Sequence, residues 1–109
     1  MTPEANGPDL TGAQRKTLRR LAHPLRPVVQ LGAGGLSDSV LSAIDRALED
    51  HELIKLKLAG ERDERGSLAV EVAARTRSAL AGLVGRVAIL YRPARDPERR
   101  RIDPSDRGA

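Results

Sequence analysis

Phenylalanine, tryptophan and cysteine are absent from this chain, and Tyr91 is its only aromatic residue. Leu, Val, Ile and Ala must therefore build the core. With 109 residues there is room for one such core and not for an independent second one. Lack of Cys rules out disulfides and thiolate metal sites, and His23 and His51 alone are too few ligands for a structural zinc. No metal and no cofactor are expected. No run approaches the roughly 18 apolar residues of a membrane span. The first ten residues carry Glu4 and Asp9 where a secretory signal would need bases followed by an apolar stretch. A soluble, unprocessed, cytoplasmic chain without membrane contact is expected.

Hydrophobic periodicity divides the chain into alternating elements. Residues 1–10, with Pro3, Gly7 and Pro8, show no period and read as a disordered arm. A first helix is predicted from an N-cap at Thr11 to Ala22, where Pro24 prevents continuation. Gln14, Leu18 and Leu21 share one side of it, and Arg15, Lys16, Arg19 and Arg20 the other. Pro27 to Leu31 reads as a short strand, followed by the loop Gly32-Ala33-Gly34-Gly35. Ser37 caps a second helix that runs to about Asp50, with Val40, Leu41, Ile44, Ala47 and Leu48 on its apolar stripe. From Leu53 to Leu58 the residues alternate, placing Ile54, Leu56 and Leu58 on one face and Lys55 and Lys57 on the other. A third helix starts at Arg62 or Ser67 and extends to Leu80, and a third strand spans about Arg86 to Arg92. Beyond Pro93 lies an Arg-, Pro- and Asp-rich tail, 94–109, in which only Arg100 to Asp103 suits a further edge strand. Two strand-helix-strand crossovers favour parallel neighbours with helices laid on the sheet.

Charge is unevenly distributed along this pattern. The net charge is only +4, yet Leu10 to Ser37 carries Arg15, Lys16, Arg19, Arg20 and Arg26 with no acid, whereas Asp38 to Gly66 holds eight acids and five bases. Arg predominates among the bases, and its planar fork suits bidentate phosphate contacts. Because exposed aromatics are missing, the base-stacking platforms of RRM, OB and cold-shock domains are excluded, so any nucleic acid must be held mainly by backbone and charge. A glycine loop that leaves a strand and opens a helix allows close approach of backbone to a phosphate, although such a turn by itself is often only a turn.

Two nucleotide-binding patterns compete for this loop. Gly32 and Gly34 match the first two glycines of a Rossmann fingerprint, but the third small position falls on Ser37, and Glu52 precedes the second strand instead of ending it. A Walker loop is excluded because no Gly-Lys-Ser or Gly-Lys-Thr follows the glycines. His23 and His51 stand at helix ends, where capping is the simpler role, and neither has a nucleophile or acid partner nearby in sequence. Tyr91 shares strand parity with Val87 and Ile89 and so suits the core.

Four blocks in order resemble one family: Leu21-Ala22-His23-Pro24-Leu25-Arg26-Pro27-Val28-Val29, Leu31-Gly32-Ala33-Gly34-Gly35-Leu36, His51-Glu52-Leu53-Ile54-Lys55 and Leu90-Tyr91-Arg92-Pro93. Together they resemble the CRM domain of the bacterial YhbY family, over about Leu10 to Pro93. The resemblance implies an α+β two-layer sandwich, an N-terminal helix followed by β-α-β-α-β(-β) with a mixed four-stranded sheet, like the C-terminal domain of translation initiation factor three. It also implies a non-enzymatic RNA-binding role on precursors of the large ribosomal subunit, and in plants the same domain serves intron splicing. The family's GxxG loop falls on Gly32, Ala33, Gly34 and Gly35; many family loops carry a polar or basic residue where Ala33 and Gly34 stand here. With the bases Arg15, Lys16, Arg19, Arg20 and Arg26, these residues form the candidate RNA-binding set, with structured ribosomal RNA as partner. A module docking on a ribosomal protein is the first alternative, and a nucleotide-binding enzyme the second.

Overall fold

The computed structural model describes residues 7–32 and 35–105. The elements are α1 (Gly12–Ala22), β1 (Pro27–Leu31), α2 (Asp38–His51), β2 (Leu53–Leu58), α3 (Arg62–Thr76), β3 (Ala79–Val84) and β4 (Val87–Tyr91), with a 3-10 turn at Pro97–Arg99. The helix starts follow local chemistry. Thr11 and Gln14 form a reciprocal capping box on α1, Ser37 Oγ accepts from Val40 N on α2, and Glu61 and Glu64 box the start of α3.

The strands form one sheet in the order β1-β2-β4-β3. β1 pairs parallel with β2, while β4 runs antiparallel to both β2 and β3. The first crossover thus joins parallel neighbours, as predicted; across the second, β2 and β3 run in the same direction with β4 inserted between them. The third helix stops at Thr76, four residues short of the expected Leu80. Arg77 takes a left-handed conformation (φ 57°), and the Thr76 hydroxyl bonds to Val72 O and pairs with Ser78 Oγ. Ala79 and Leu80 continue a helical apolar period, but they pair with Tyr91 and Leu90 in a hairpin. The additional strand is therefore β3, Ala79–Val84, the strand expected at Arg86 to Arg92 is β4 and lies antiparallel to β2, and Arg100 to Asp103 forms no strand.

Two apolar clusters cover the two sheet faces. Leu31, Ile54, Leu56, Leu58, Ala88 and Leu90 meet Ile44 and Leu48 of α2 and Ala69, Val72 and Ala73 of α3. This is the two-layer sandwich, and its inward row Ile54, Leu56, Leu58 is the one that alternation predicts. On the other face, Leu18 and Ala22 of α1 pack with Leu53, Ala81, Ile89 and Tyr91. The basic helix and the two acid-bearing helices are consequently held on opposite sides of the sheet. Among the described residues no helix is long and apolar enough to cross a membrane.

The chain on either side of 11–93 is partly built into the domain. Leu10 packs on the second cluster, while residues 1–6 of the expected arm lie outside the described residues. Past Pro93, Ala94 is fully buried, Arg99 pairs with Asp50 at 3.5 Å, and Ile102 packs beside α1.

Candidate nucleic-acid interface

α1 carries Arg15, Lys16, Arg19 and Arg20 and no acid, whereas α2 carries Asp38, Asp45, Glu49 and Asp50 against a single Arg46. Because the wheel position of Leu18 and Ala22 anchors α1 to the sheet, Arg15, Lys16, Arg19 and Arg20 all emerge exposed. Arg19 is more than a solvated side chain. Its Nη1 donates to Ala81 O at 3.2 Å, and a Cβ at position 82 would come within 2.7 Å of its Cδ, so Gly82 leaves the space that its stem occupies. The guanidinium is thereby fixed over edge strand β3.

The glycine loop leaves the opposite edge strand, β1. Gly35 has φ +76° and donates its N–H to Gly32 O at 3.2 Å, a turn for which a residue without Cβ is favoured. Ala33 and Gly34 lie outside the described residues. Three inter-strand steps of about 4.8 Å put Arg19 and the loop strand roughly 14 Å apart across the sheet. The basic helix directly precedes β1 and its loop in sequence, but in space the two span the sheet instead of standing side by side. Arg26 is exposed immediately before β1, at the end remote from the loop.

The loop is not isolated from the rest of its end of the sheet. Ala59 N donates to Leu31 O at 3.0 Å, and Leu58 N to Arg86 O at 2.7 Å. Arg65 then ties two neighbouring turns together, its Nη1 bonding Gly60 O at 2.7 Å and its Nε bonding Gly85 O at 3.3 Å. On the α3 side, Gly32 and Gly35 share a cleft with Asp63, Glu64, Ser67 and Glu71. Those carboxylates make the α3 side of the loop unfavourable for phosphate.

Lys55 and Lys57 separate in role. Lys55 Nζ donates to His23 O at 3.0 Å and Leu25 O at 3.1 Å, stapling the α1–β1 turn to β2 and placing a cation at a helix C-terminus. Lys57 is exposed beside Gln30 and Arg26 in a shallow groove along β1. His23 caps α1 through its backbone, and Tyr91 is buried, both in the structural roles expected.

Glu52 is the residue whose role sequence reasoning missed. It sits at φ 65°, only 2% exposed, with Oε2 accepting from Ala94 N at 2.8 Å and Oε1 accepting from Arg101 and Ile102. Its carboxylate is occupied by backbone amides, which removes the ribose-binding role that a Rossmann reading would give it. Nearby, Arg92 Nη1 bonds Asp45 Oδ1 at 2.7 Å and Thr76 O at 2.8 Å. The only signal in the sequence was an acid placed at a helix-to-strand junction, with its partners about fifty residues away.

These features define a small α+β domain with one basic helix face and a glycine turn at the end of its sheet. Residues 10–92 match the family model of the CRS1/YhbY (CRM) domain, and the chain belongs to that family. It is 43% identical over 91 residues to a probable RNA-binding protein of Pseudomonas aeruginosa, covering 83% of this chain and 88% of the relative. An RNA-binding protein of Haemophilus influenzae is 42% identical over 88 residues, with coverage of 80% and 89%. Among solved structures, a Staphylococcus aureus protein suggested to bind RNA, determined in solution, superposes with TM-score 0.75 at 33% identity. That match covers 87% of this chain and all of the other.

Proposed function

We propose that this chain is a cytoplasmic, non-catalytic protein that binds structured ribosomal RNA in precursors of the large subunit and assists their assembly. The observation that carries the reading is the segregation of charge by the sheet: Arg15, Lys16, Arg19 and Arg20 stand together on α1, and the acids of α2 face away from them. The names of the relatives and the family membership support RNA as the polyanion. Phosphates meet the α1 bases while the glycine-rich segment Gly32-Ala33-Gly34-Gly35 lets a phosphate approach the backbone closely, and Arg26 extends the basic line toward the start of β1. Contacts of this kind position the protein on folded RNA without reading sequence.

The test is a titration of a structured ribosomal RNA fragment across a salt series, together with sedimentation of a cell lysate. Affinity should fall steeply with salt, by about 0.7 to 0.9 in log slope per phosphate contact. The protein should travel with immature large subunits. Salt-independent binding, or migration free of all ribosomal particles, would overturn the proposal.

A further inference from the structure

β1 begins opposite Lys55, so Leu53 and Ile54 of β2 have no β1 partner on that side. The gap at this corner of the sheet is a cleft of about 350 Å³ lined by Leu21, Leu25, Val28, Leu53, Ile54 and Ile102, with Arg26 and His51 as its polar residues. This volume falls within the ordinary range for small-ligand sites, and the lining is mostly apolar, as such sites are. Its walls are held by interactions already described. Lys55 fixes the turn that carries Leu25, and Glu52 holds the backbone of Ile102 at 3.0 Å. Leu25 is 39% and Val28 45% exposed, leaving the mouth open.

The chemistry around the mouth selects the occupant. No acid lines this cleft, the adjoining groove along β1 presents Arg26 and Lys57 without an acid, and the two acids of the other neighbouring depression, Asp45 and Asp50, are paired with Arg92, Arg95 and Arg99. Arg26 borders both depressions and has no ion-pair partner among the described residues. An occupant that is flat and apolar at one end and anionic at the other meets both conditions. On the reading that the protein binds RNA, we infer that this cleft receives one unpaired nucleobase, with the phosphate of the same nucleotide on Arg26 and His51 at the rim facing the base edge. Aliphatic walls then do at a single position what exposed aromatics do elsewhere.

The experiment uses the whole chain and three RNA hairpins with the same stem: fully paired, with a single bulged adenosine, and with an abasic bulge. The abasic form keeps the bend and flexibility of the bulge but lacks the base. Wild-type protein should bind the adenosine bulge about tenfold more tightly than the other two, near the scale of one base held on a protein surface. Val28→Glu and Val28→Lys should both abolish this preference. The lysine variant should keep full affinity for the paired stem, which separates a blocked cleft from simple charge repulsion. Circular dichroism checks that both are folded. Equal binding of all three hairpins by wild type, or a preference that survives in Val28→Lys, would overturn the base site while leaving RNA binding intact. Failure to bind any hairpin would instead remove the reading on which it rests.

Discussion

The carboxylate of Glu52 and the backbone N–H of Ile102 lie fifty positions apart in the chain and 3.0 Å apart in space. The same oxygen also accepts from Arg101 at 2.6 Å, and its twin accepts from Ala94. One buried side chain thus satisfies three amides of a segment that has no strand to pair with. Glu52→Gln keeps the shape but removes the charge and one acceptor. It should destabilise the fold by about 1.5 to 3 kcal/mol, the scale of hydrogen bonds to an ionised group. A urea titration reads this as a lowered midpoint at similar slope; a shift equivalent to under about 0.5 kcal/mol would mean that the segment is not held through this carboxylate.

Leu56 is fully buried in the middle of β2, between the sheet and both long helices. Leu56→Ala should reduce stability by roughly 2 to 5 kcal/mol through lost burial and the cavity left behind. The exposed Val70→Ala in α3 is the comparison, and should stay within about 0.5 kcal/mol. Similar denaturation midpoints for the two variants would contradict the packing of β2.

Burial raises the Tyr91 phenol above its ordinary value of 10.0, with Glu52 and Asp103 adding to the rise and Arg100 opposing it. A raised acid keeps its proton in the folded state after the unfolded chain has lost it. The stabilisation is complete below the unfolded value and is lost as pH rises from there through the folded one. Stability should therefore decline above about pH 10, and Tyr91→Phe should decline less steeply over that window. Parallel curves for the two proteins, in melts from pH 8 to 11.5, would assign the loss to other groups.

Arg15 and Lys16 are exposed, whereas Arg19 also packs on Gly82, so the first pair is the cleaner probe of the interface. Arg15→Ala with Lys16→Ala should flatten the salt dependence of RNA binding by about 1.4 to 1.8 in log slope if both meet phosphates. Arg46→Ala with Arg62→Ala, on the helices of the other face, should leave the slope unchanged. Identical slopes for both pairs would take α1 out of the interface.

Gly35 combines φ +76° with open space where a Cβ would stand. The penalty of a side chain there is conformational and not steric, so Gly35→Ala should cost about 1 kcal/mol and Gly35→Asn less, since Asn tolerates the left-handed region. Equal losses for Ala and Asn in thermal melts would point to crowding instead.

The sequence by itself determined the elements whose signals are local. Thr11 and Ser37 cap helices through side chains reaching three residues ahead, Pro24 stops α1, and the alternation Ile54, Leu56, Leu58 fixes which face of β2 is buried. It also determined the charge pattern, since which residues are Arg and which helix bears them needs no fold. Tertiary structure decided whatever depends on partners distant in the chain. Ala79 and Leu80 suit a helix as well as a strand, and only the presence of β4 opposite them, behind the Arg77 turn, settles the choice. The side of the sheet on which α1 lies, the roughly 14 Å between Arg19 and the glycine loop strand, and the three amides on Glu52 follow from strand order, which periodicity does not encode. The cleft beside Arg26 exists because β1 starts two residues later than β2 in register, a relationship between strands that no single segment contains.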